Sequence, residues 1–344
     1  MSSQLLNTLF VTNPRAFVRL EGDSVRVEAD GAKLLQVPLL HLGSLVLFDG
    51  ASVSVPLMMR CAEDGREITF LDYAGRFKAR VVGPTSGNVL LRKAQYQAQA
   101  DEARCLEIAR PIVGGKIKNA RQTLLRAARE TNDAAQSQAL QEQAAFLATY
   151  LETLPDMETL DGVRGVEGQA ASCYFAGFGA MITREKAAFA FATRTRRPPR
   201  DRVNALLSFV YALLLHDCVS AVEGVGLDPQ FGYLHALRPG RPALALDLME
   251  EFRSYLADRL ILTLINRRQL QPEHFETRPG DSVLLTTEGR KIVLSAYQTR
   301  KQEEVSHPLL QTKTPLGLVP HLQARILARH LRGDLPAYLP FIAR

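Results

Sequence analysis

The sequence predicts an α+β chain in which a small mainly-β domain is followed by a larger, all-helical domain. Three observations carry that expectation. Short runs alternating apolar and polar residues fill residues 9–82, the pattern of strands with one buried face. The segment VVGPTSGN, rich in Gly, Pro and Ser, then punctuates the chain and sets a boundary at 83–88. Beyond it, apolar residues recur at three- and four-residue spacings, as on amphipathic helices. The expected division is residues 1–85 and 86–344, and 46% hydrophobic content over 344 residues suffices for a substantial core.

The elements follow in order. AFVRLEGDSVRVEA alternates on both sides of Gly22-Asp23 and reads as a hairpin. SLVLF, EITFLD and RFKARVV read as further strands, with SVPLMMRCAED as one helix crossing between them. A helical stretch follows at 90–130, which Pro111 and the Gly114-Gly115 pair should kink or break. An amphipathic helix is expected over 133–154, and the helix carrying Glu167 after Asp156 or Asp161. Asp201 is a natural N-cap for RVNALLSFVYALLLHDCVSAV, whose near-continuous apolarity marks it as central to the core. A long helix over 245–266, a small hairpin in HFETRPGDSVLLT, two shorter helices and an irregular end complete the chain.

Composition narrows the setting. Cys61, Cys105, Cys173 and Cys218 lie far apart with no Cys-x-x-Cys spacing, so neither a zinc ribbon nor a disulfide framework is expected, and a reducing cytoplasm fits. No apolar run approaches the roughly 20 residues needed to cross a bilayer, and the first residues lack a signal peptide's basic start and apolar block. Neither secretion nor a membrane anchor is expected. The net charge of +6 is concentrated: residues 181–202 hold seven basic side chains against two acidic ones. Such a stripe suits phosphate binding through counterion release, and it suits a solvated loop equally well.

Three segments carry candidate chemistry: GVEGQAASCYF around Glu167, the basic arm RRPPRDRVNALLSFVYALLLHD, and GLDPQFGYLHALRPGRPALALDLMEEFR. Asp247 and Glu250 stand three residues apart, so one helix face can present both carboxylates to a cation or simply to water. His235 lies 12 positions before Asp247 in a turn-rich segment that can fold back over that helix, with His216 and His274 as competitors. Glu167 has little side-chain bulk around it, which allows close approach of another helix or a DNA strand. A helix-start glutamate stabilised by the macrodipole is the competing reading. One imidazole with two or three carboxylates suits Mg²⁺ or Mn²⁺ better than a structural zinc.

At these residues the chain resembles the CRISPR-associated adaptation integrases, the larger subunit of the spacer-acquisition machinery, most closely their subtype I-C form. RRPPRDRVNALLSFVYALL, GLDPQFGYLHALRPGRPALALDLMEEFR and KIKNARQTLLR carry the resemblance, which spans essentially the whole chain. It implies a metal-dependent DNA endonuclease and integrase, in which the 3′-hydroxyl of a short DNA fragment attacks a phosphodiester of a CRISPR repeat. It implies Glu167, His235 and Glu250 as metal ligands, Asp247 as a supporting acid, and Arg184, Arg197 and Arg200 as DNA contacts. Glu250 stands where many members carry Asp. Also implied are double-stranded DNA as substrate, a homodimer formed through the β-domain, a small ferredoxin-like companion subunit and an iron–sulfur trimming nuclease. A catalytically silent DNA-binding scaffold of the same fold is the alternative, and a metallohydrolase of small phosphoesters a third reading.

Overall fold

The computed structural model describes residues 7–83, 89–195 and 198–343. Eight strands open the chain: β1 (Thr8–Val11), β2 (Phe17–Glu21), β3 (Ser24–Ala29), β4 (Ala32–Pro38), β5 (Ser44–Phe48), β6 (Ser52–Val53), β7 (Glu67–Leu71) and β8 (Phe77–Val81). They form two four-stranded sheets, ordered β4-β3-β2-β6 and β1-β5-β7-β8. The hairpin expected around Gly22-Asp23 is β2–β3, and a second tight turn at Asp30-Gly31, both with positive φ (51° and 78°), joins β3 to β4. In the second sheet β1, β5 and β7 run parallel, which local alternation does not reveal. Helix α1 (Val55–Glu63) supplies the β5-to-β7 crossover that parallel pairing requires, and it is the crossing helix expected from SVPLMMRCAED.

Strand β5 joins the β-rich part to the helices. Its alternate residues Leu45 and Leu47 face a small core with Val18, Val25, Leu57 and Ile68. Val46 and Phe48 on the other face enter the main helical core, where Phe48 stacks on Phe209 with ring centroids 6.2 Å apart. The sheet is buried on both faces, as parallel sheets generally are. The boundary expected at 83–88 falls almost wholly on 84–88, outside the described residues.

The remaining part is mostly helical: α2 (Val89–Gln99), α3 (Glu102–Glu130), α4 (Ala134–Thr153), α5 (Leu160–Phe178), α6 (Arg202–Gly224), α7 (Ala243–Met249), α8 (Arg259–Asn266), α9 (Thr287–Gln302) and α10 (Val319–Leu331). It is not all-helical. The expected hairpin is present as β9 (Phe275–Arg278) with β10 (Ser282–Leu285), and a second, unanticipated one pairs β11 (Glu304–Ser306) with β12 (Lys313–Pro315).

Three further expectations are overturned. Helix α3 runs unbroken through Pro111 and both glycines, because its buried face, including Ile108, Ile112, Ile117 and Leu124, is clamped by tertiary packing that outweighs propensity. Gly115 also lets the C-terminal segment lie close, since a Cβ there would come within 2.7 Å of Pro340. The single helix expected over 245–266 is instead α7, a turn, a π-helical stretch (Arg253–Asp258) and α8. Finally, α6 is long and apolar enough to cross a membrane, with 56% of that window buried inside the protein. Val203, Leu206, Val210, Leu214 and Cys218 are all fully buried, so α6 is a core helix, capped by Asp201 accepting the Asn204 N–H at 2.7 Å.

The C-terminal segment is ordered by polar groups of the core. The Asn119 amide donates to Glu251 O (2.8 Å) and Phe341 O (2.9 Å) and accepts the Ala343 N–H (2.9 Å). The buried Glu251 carboxylate accepts from Tyr338 Oη, from Gln323 (2.8 Å) and from the Phe341 N–H (2.6 Å). Burial pushes Glu251 up to about 7 against the pull of these donors. The unfolded group titrates near 4.5, so between the two values the folded chain holds an extra proton and stability falls as pH rises. Urea unfolding midpoints are therefore expected to fall between about pH 5 and 7.5, and Glu251→Gln to remove on the order of 2 kcal/mol of that dependence. Comparing variant with wild type at each pH cancels His307 and His321, which burial lowers and which act in the opposite sense. A wild-type-minus-variant difference that does not change with pH would refute the assignment.

Candidate metal centre and nucleic-acid interface

The loop between α6 and α7 is built by two side chains that replace secondary structure. Gln95, fully buried on α2, donates to Asp228 O (2.8 Å) and Phe231 O (3.0 Å) and accepts the Asp228 N–H (2.8 Å). Asp247, fully buried on α7, accepts the backbone N–H groups of Tyr233 (2.6 Å), Leu234 (3.0 Å) and His235 (2.9 Å). Its Oδ1 also lies 2.6 Å from His235 Nδ1. With four donors the carboxylate is saturated, and the ring proton is drawn to Nδ1. His235 Nε2 then presents a lone pair towards Glu250, whose Oε1 is 3.7 Å away. This carboxylate–imidazole arrangement is the usual support of a metal-binding histidine.

Gly232 makes the loop's approach possible: a Cβ there would stand 2.6 Å from Asp247 Oδ2 and 2.8 Å from Ala243 O. Arg164, three residues before Glu167 on α5, donates from Nε to Leu234 O at 2.6 Å and so joins the helix of Glu167 to the loop of His235.

Glu167 lies beyond the first two turns of α5, whose N-cap is Thr159, so the macrodipole reading does not apply to it. Its carboxylate pairs with Lys116 of α3. The same ammonium lies 2.7 Å from Glu250 Oε2, and Arg253 lies 3.0 Å from Glu250 Oε1. Glu250 is only 2% exposed, and burial opposes its charge, but the Arg253 guanidinium and the Lys116 ammonium hold it well below the usual carboxylate range. Glu251, its neighbour in sequence, faces away into the C-terminal cluster.

Glu167 and Glu250 therefore share one ammonium, and His235, with Asp247 behind its ring, stands beside Glu250. Among the described residues no three His, Cys, Asp or Glu side chains form a preformed metal cage. The donor set nonetheless fits a hard divalent ion, offering carboxylate oxygens and one imidazole nitrogen. His216 and His274 are elsewhere: His216 Nδ1 faces Glu67 at 3.5 Å, and His274 accepts the Gln271 N–H at 2.9 Å. Sequence reasoning missed Lys116, Gln95 and Arg253. Only Arg253 had a local signal, one helical turn after Glu250.

The basic segment divides. Arg194 turns inward, donating to Asn204 Oδ1 at 2.8 Å, and Arg202 donates to Ala188 O at 2.7 Å, so both serve the fold of the loop. Arg184 and Arg200 are exposed, while Arg197 lies outside the described residues. A cavity of about 780 Å³ between β8 and α6 is lined by Tyr73, Arg76, Arg80, Tyr211 and Arg253 among others. Rings beside guanidinium groups suit an unstacked base and its phosphate. On α5, a Cβ at Gly165 or Gly168 would meet nothing, so the surface beside Glu167 is open.

Residues 9–299 match the sequence profile of the family described as CRISPR associated protein Cas1. The chain is 57% identical over 340 residues to a CRISPR-associated endonuclease Cas1 of Moorella thermoacetica, with 99% of each chain covered. It is 36% identical, over 98% of its own length and 60% of the relative's, to a CRISPR-associated exonuclease Cas4/endonuclease Cas1 fusion of Geobacter sulfurreducens. Among solved structures, a CAS1 protein from Thermotoga maritima aligns with a TM-score of 0.82 at 22% identity, covering 95% of this chain and 97% of that one. A casposase bound to integration product aligns at 0.83 with 21% identity, covering 97% and 92%. A chain of a Cas6-RT-Cas1–Cas2 complex aligns at 0.83 with 23% identity, covering 100% of this chain and 37% of that one. At such identities these structures establish the fold alone.

Gly232→Ala tests the loop. The added methyl is expected to lower the unfolding free energy in urea by roughly 1–3 kcal/mol, as overpacking does, and to speed proteolysis within 226–242. Unchanged stability and cleavage would mean that the close approach to Asp247 is not required.

Proposed function

The chain belongs to the CRISPR associated protein Cas1 family, and on that premise we propose that it is a metal-dependent DNA endonuclease and integrase that inserts short DNA fragments into a CRISPR array. The observation that carries this reading is that Glu167 and Glu250 share the Lys116 ammonium while His235 stands beside Glu250. In this reading those three side chains hold Mg²⁺ or Mn²⁺. A divalent ion bound there supplies Lewis-acid stabilisation of charge on a phosphoryl oxygen.

The chain's own groups do the rest. Asp247 keeps the His235 ring proton on Nδ1 and fixes the ring plane, so its role is positioning, and Glu250 is the ligand of the pair. Arg253 keeps Glu250 ionised. Arg184 and Arg200 grip the phosphodiester backbone, with Arg197 assigned by charge alone. The 3′-hydroxyl of the incoming strand loses its proton to solvent and bonds to phosphorus as the bond to the repeat's 3′-oxygen breaks and that oxygen takes up a proton, so no covalent protein intermediate is needed.

The wording of the three diagnostic segments supports a subtype I-C setting. A homodimer through the β-rich part is supported by exposed Leu34 and Leu35 on the edge strand β4, with Leu40, Val55 and Met59 exposed nearby. An unpaired edge beside apolar side chains is a template for a second copy. The companion subunit and the trimming nuclease are supported by relatives described as a complex with Cas2 and as a Cas4/Cas1 fusion. Four free cysteines agree with a cytoplasmic setting.

Strand transfer of a labelled short duplex into a plasmid carrying a CRISPR leader and repeat, with the companion subunit present, tests the reading. Joining is expected with Mn²⁺ and not with EDTA, and to fall at least about 100-fold in Glu167→Ala and His235→Ala while both variants keep the wild-type melting profile. DNA binding without joining under every condition would instead support the silent scaffold.

Dimer formation is tested separately. Leu35→Lys with Leu40→Lys is expected to convert a dimer to a monomer in sedimentation equilibrium without loss of folded signal. A variant that stays dimeric would move the interface away from β4.

A further inference from the structure

A cation belonging to the chain already stands where the carboxylates meet. Lys116 is on the long helix α3, and its ammonium contacts both Glu167 and Glu250, which come from two other segments. The two contacts are not equivalent. Glu250 Oε1 has Arg253 at 3.0 Å, whereas Oε2 is buried and accepts no hydrogen bond from the described residues. The Lys116 ammonium lies 2.7 Å from Oε2 as an ion pair. An almost fully buried carboxylate oxygen is thus neutralised by one flexible ammonium.

An ammonium is a compact point charge on a flexible stem, so it can compensate these carboxylates without the rigid fork by which an arginine would lock them. The Lys116 side chain is 14% exposed, so its end is not sealed in the core. A divalent ion bound to Glu167 and Glu250 would lie within a few ångströms of that ammonium, where like charges in a partly desolvated cleft repel strongly.

We propose that Lys116 is an internal counter-ion: it holds Glu167 and Glu250 together in the metal-free protein and must swing off both carboxylates before a divalent cation can bind. Loading the site is then an exchange of one cation for another. Arg253 remains on Glu250 Oε1 throughout, and His235 is held ready by Asp247. Lys116 acts as a positioning residue, and the proposal rests on the metal-binding reading given under Proposed function.

The test is Mn²⁺ titration of the full-length protein, followed by the electron paramagnetic resonance signal of the free ion, with melting curves recorded in EDTA. In Lys116→Met the competing charge is gone, so Mn²⁺ is expected to bind about tenfold tighter while the EDTA melting temperature falls. In Lys116→Arg the fork stays pinned between the carboxylates, so Mn²⁺ is expected to bind more weakly than in wild type. A merely structural lysine would not move affinity in opposite directions in the two variants. Binding to Lys116→Met that is equal to or weaker than wild type, where wild type binds Mn²⁺ and Glu167→Ala does not, overturns the exchange and leaves the metal reading standing. If Lys116→Met fails to fold, the arginine variant decides: affinity equal to or above wild type overturns the proposal. Wild type that does not bind Mn²⁺, or binds it independently of Glu167, removes the metal reading and the proposal with it.

Discussion

The buried carboxylate of Asp247 is the constraint on which the site depends. It takes three successive backbone N–H groups and one imidazole nitrogen, so a loop with no regular hydrogen bonding is held as firmly as a helix turn. Stripping that carboxylate away would leave those donors buried and unsatisfied. Gln95 does the same service at the loop's other end. Between them, two polar side chains from distant parts of the chain decide where one histidine ring points.

The second organising feature is the change of helical pitch after α7. Residues Glu250 to Phe252 bond back three positions, and a π-helical stretch follows. The tightening and loosening send consecutive glutamates to different surroundings. Glu250 meets three cationic or potentially cationic groups and stays charged, whereas Glu251 meets only neutral donors and is pushed towards neutrality. Two identical side chains, adjacent in sequence, thus acquire opposite electrostatic character from the groups that face them. Local departures from α-geometry of this kind recur at functional sites.

What the sequence made legible was what is local. The hairpin at Gly22-Asp23, the Asp201 cap, the crossing helix and the hairpin before α9 each follow from neighbours a few residues apart. The grouping of Glu167, His235, Asp247 and Glu250 was legible through family resemblance, because spacing alone left each of them a plausible solvated or structural residue. The unbroken α3, the parallel strands and the pitch change were not legible, since tertiary packing decides them against local propensity. Lys116 was hidden for the same reason: it lies 51 residues from Glu167, and nothing in KIKNARQ distinguishes an inward lysine from an outward one. The basic arm divides in a way that charge alone could not reveal, with Arg184 and Arg200 exposed but Arg194 and Arg202 turned inward.

The fastening of the C-terminal segment bears on the order in which the molecule can be completed. Phe341 supplies a carbonyl to an asparagine 222 positions earlier and an N–H to a glutamate 90 positions earlier, and that glutamate adjoins Glu250. A ribosome delivers residues in sequence, so until the segment emerges Glu251 lacks Tyr338 and the Phe341 N–H, and Asn119 lacks the Phe341 carbonyl and the Ala343 N–H, while every ligand candidate has already been made. The core around the carboxylates therefore closes only after residues 338–343 have been made. Slow, long-range contacts of this type also set the pace of folding, which ties the maturation of the site to the arrival of a few residues that never touch it.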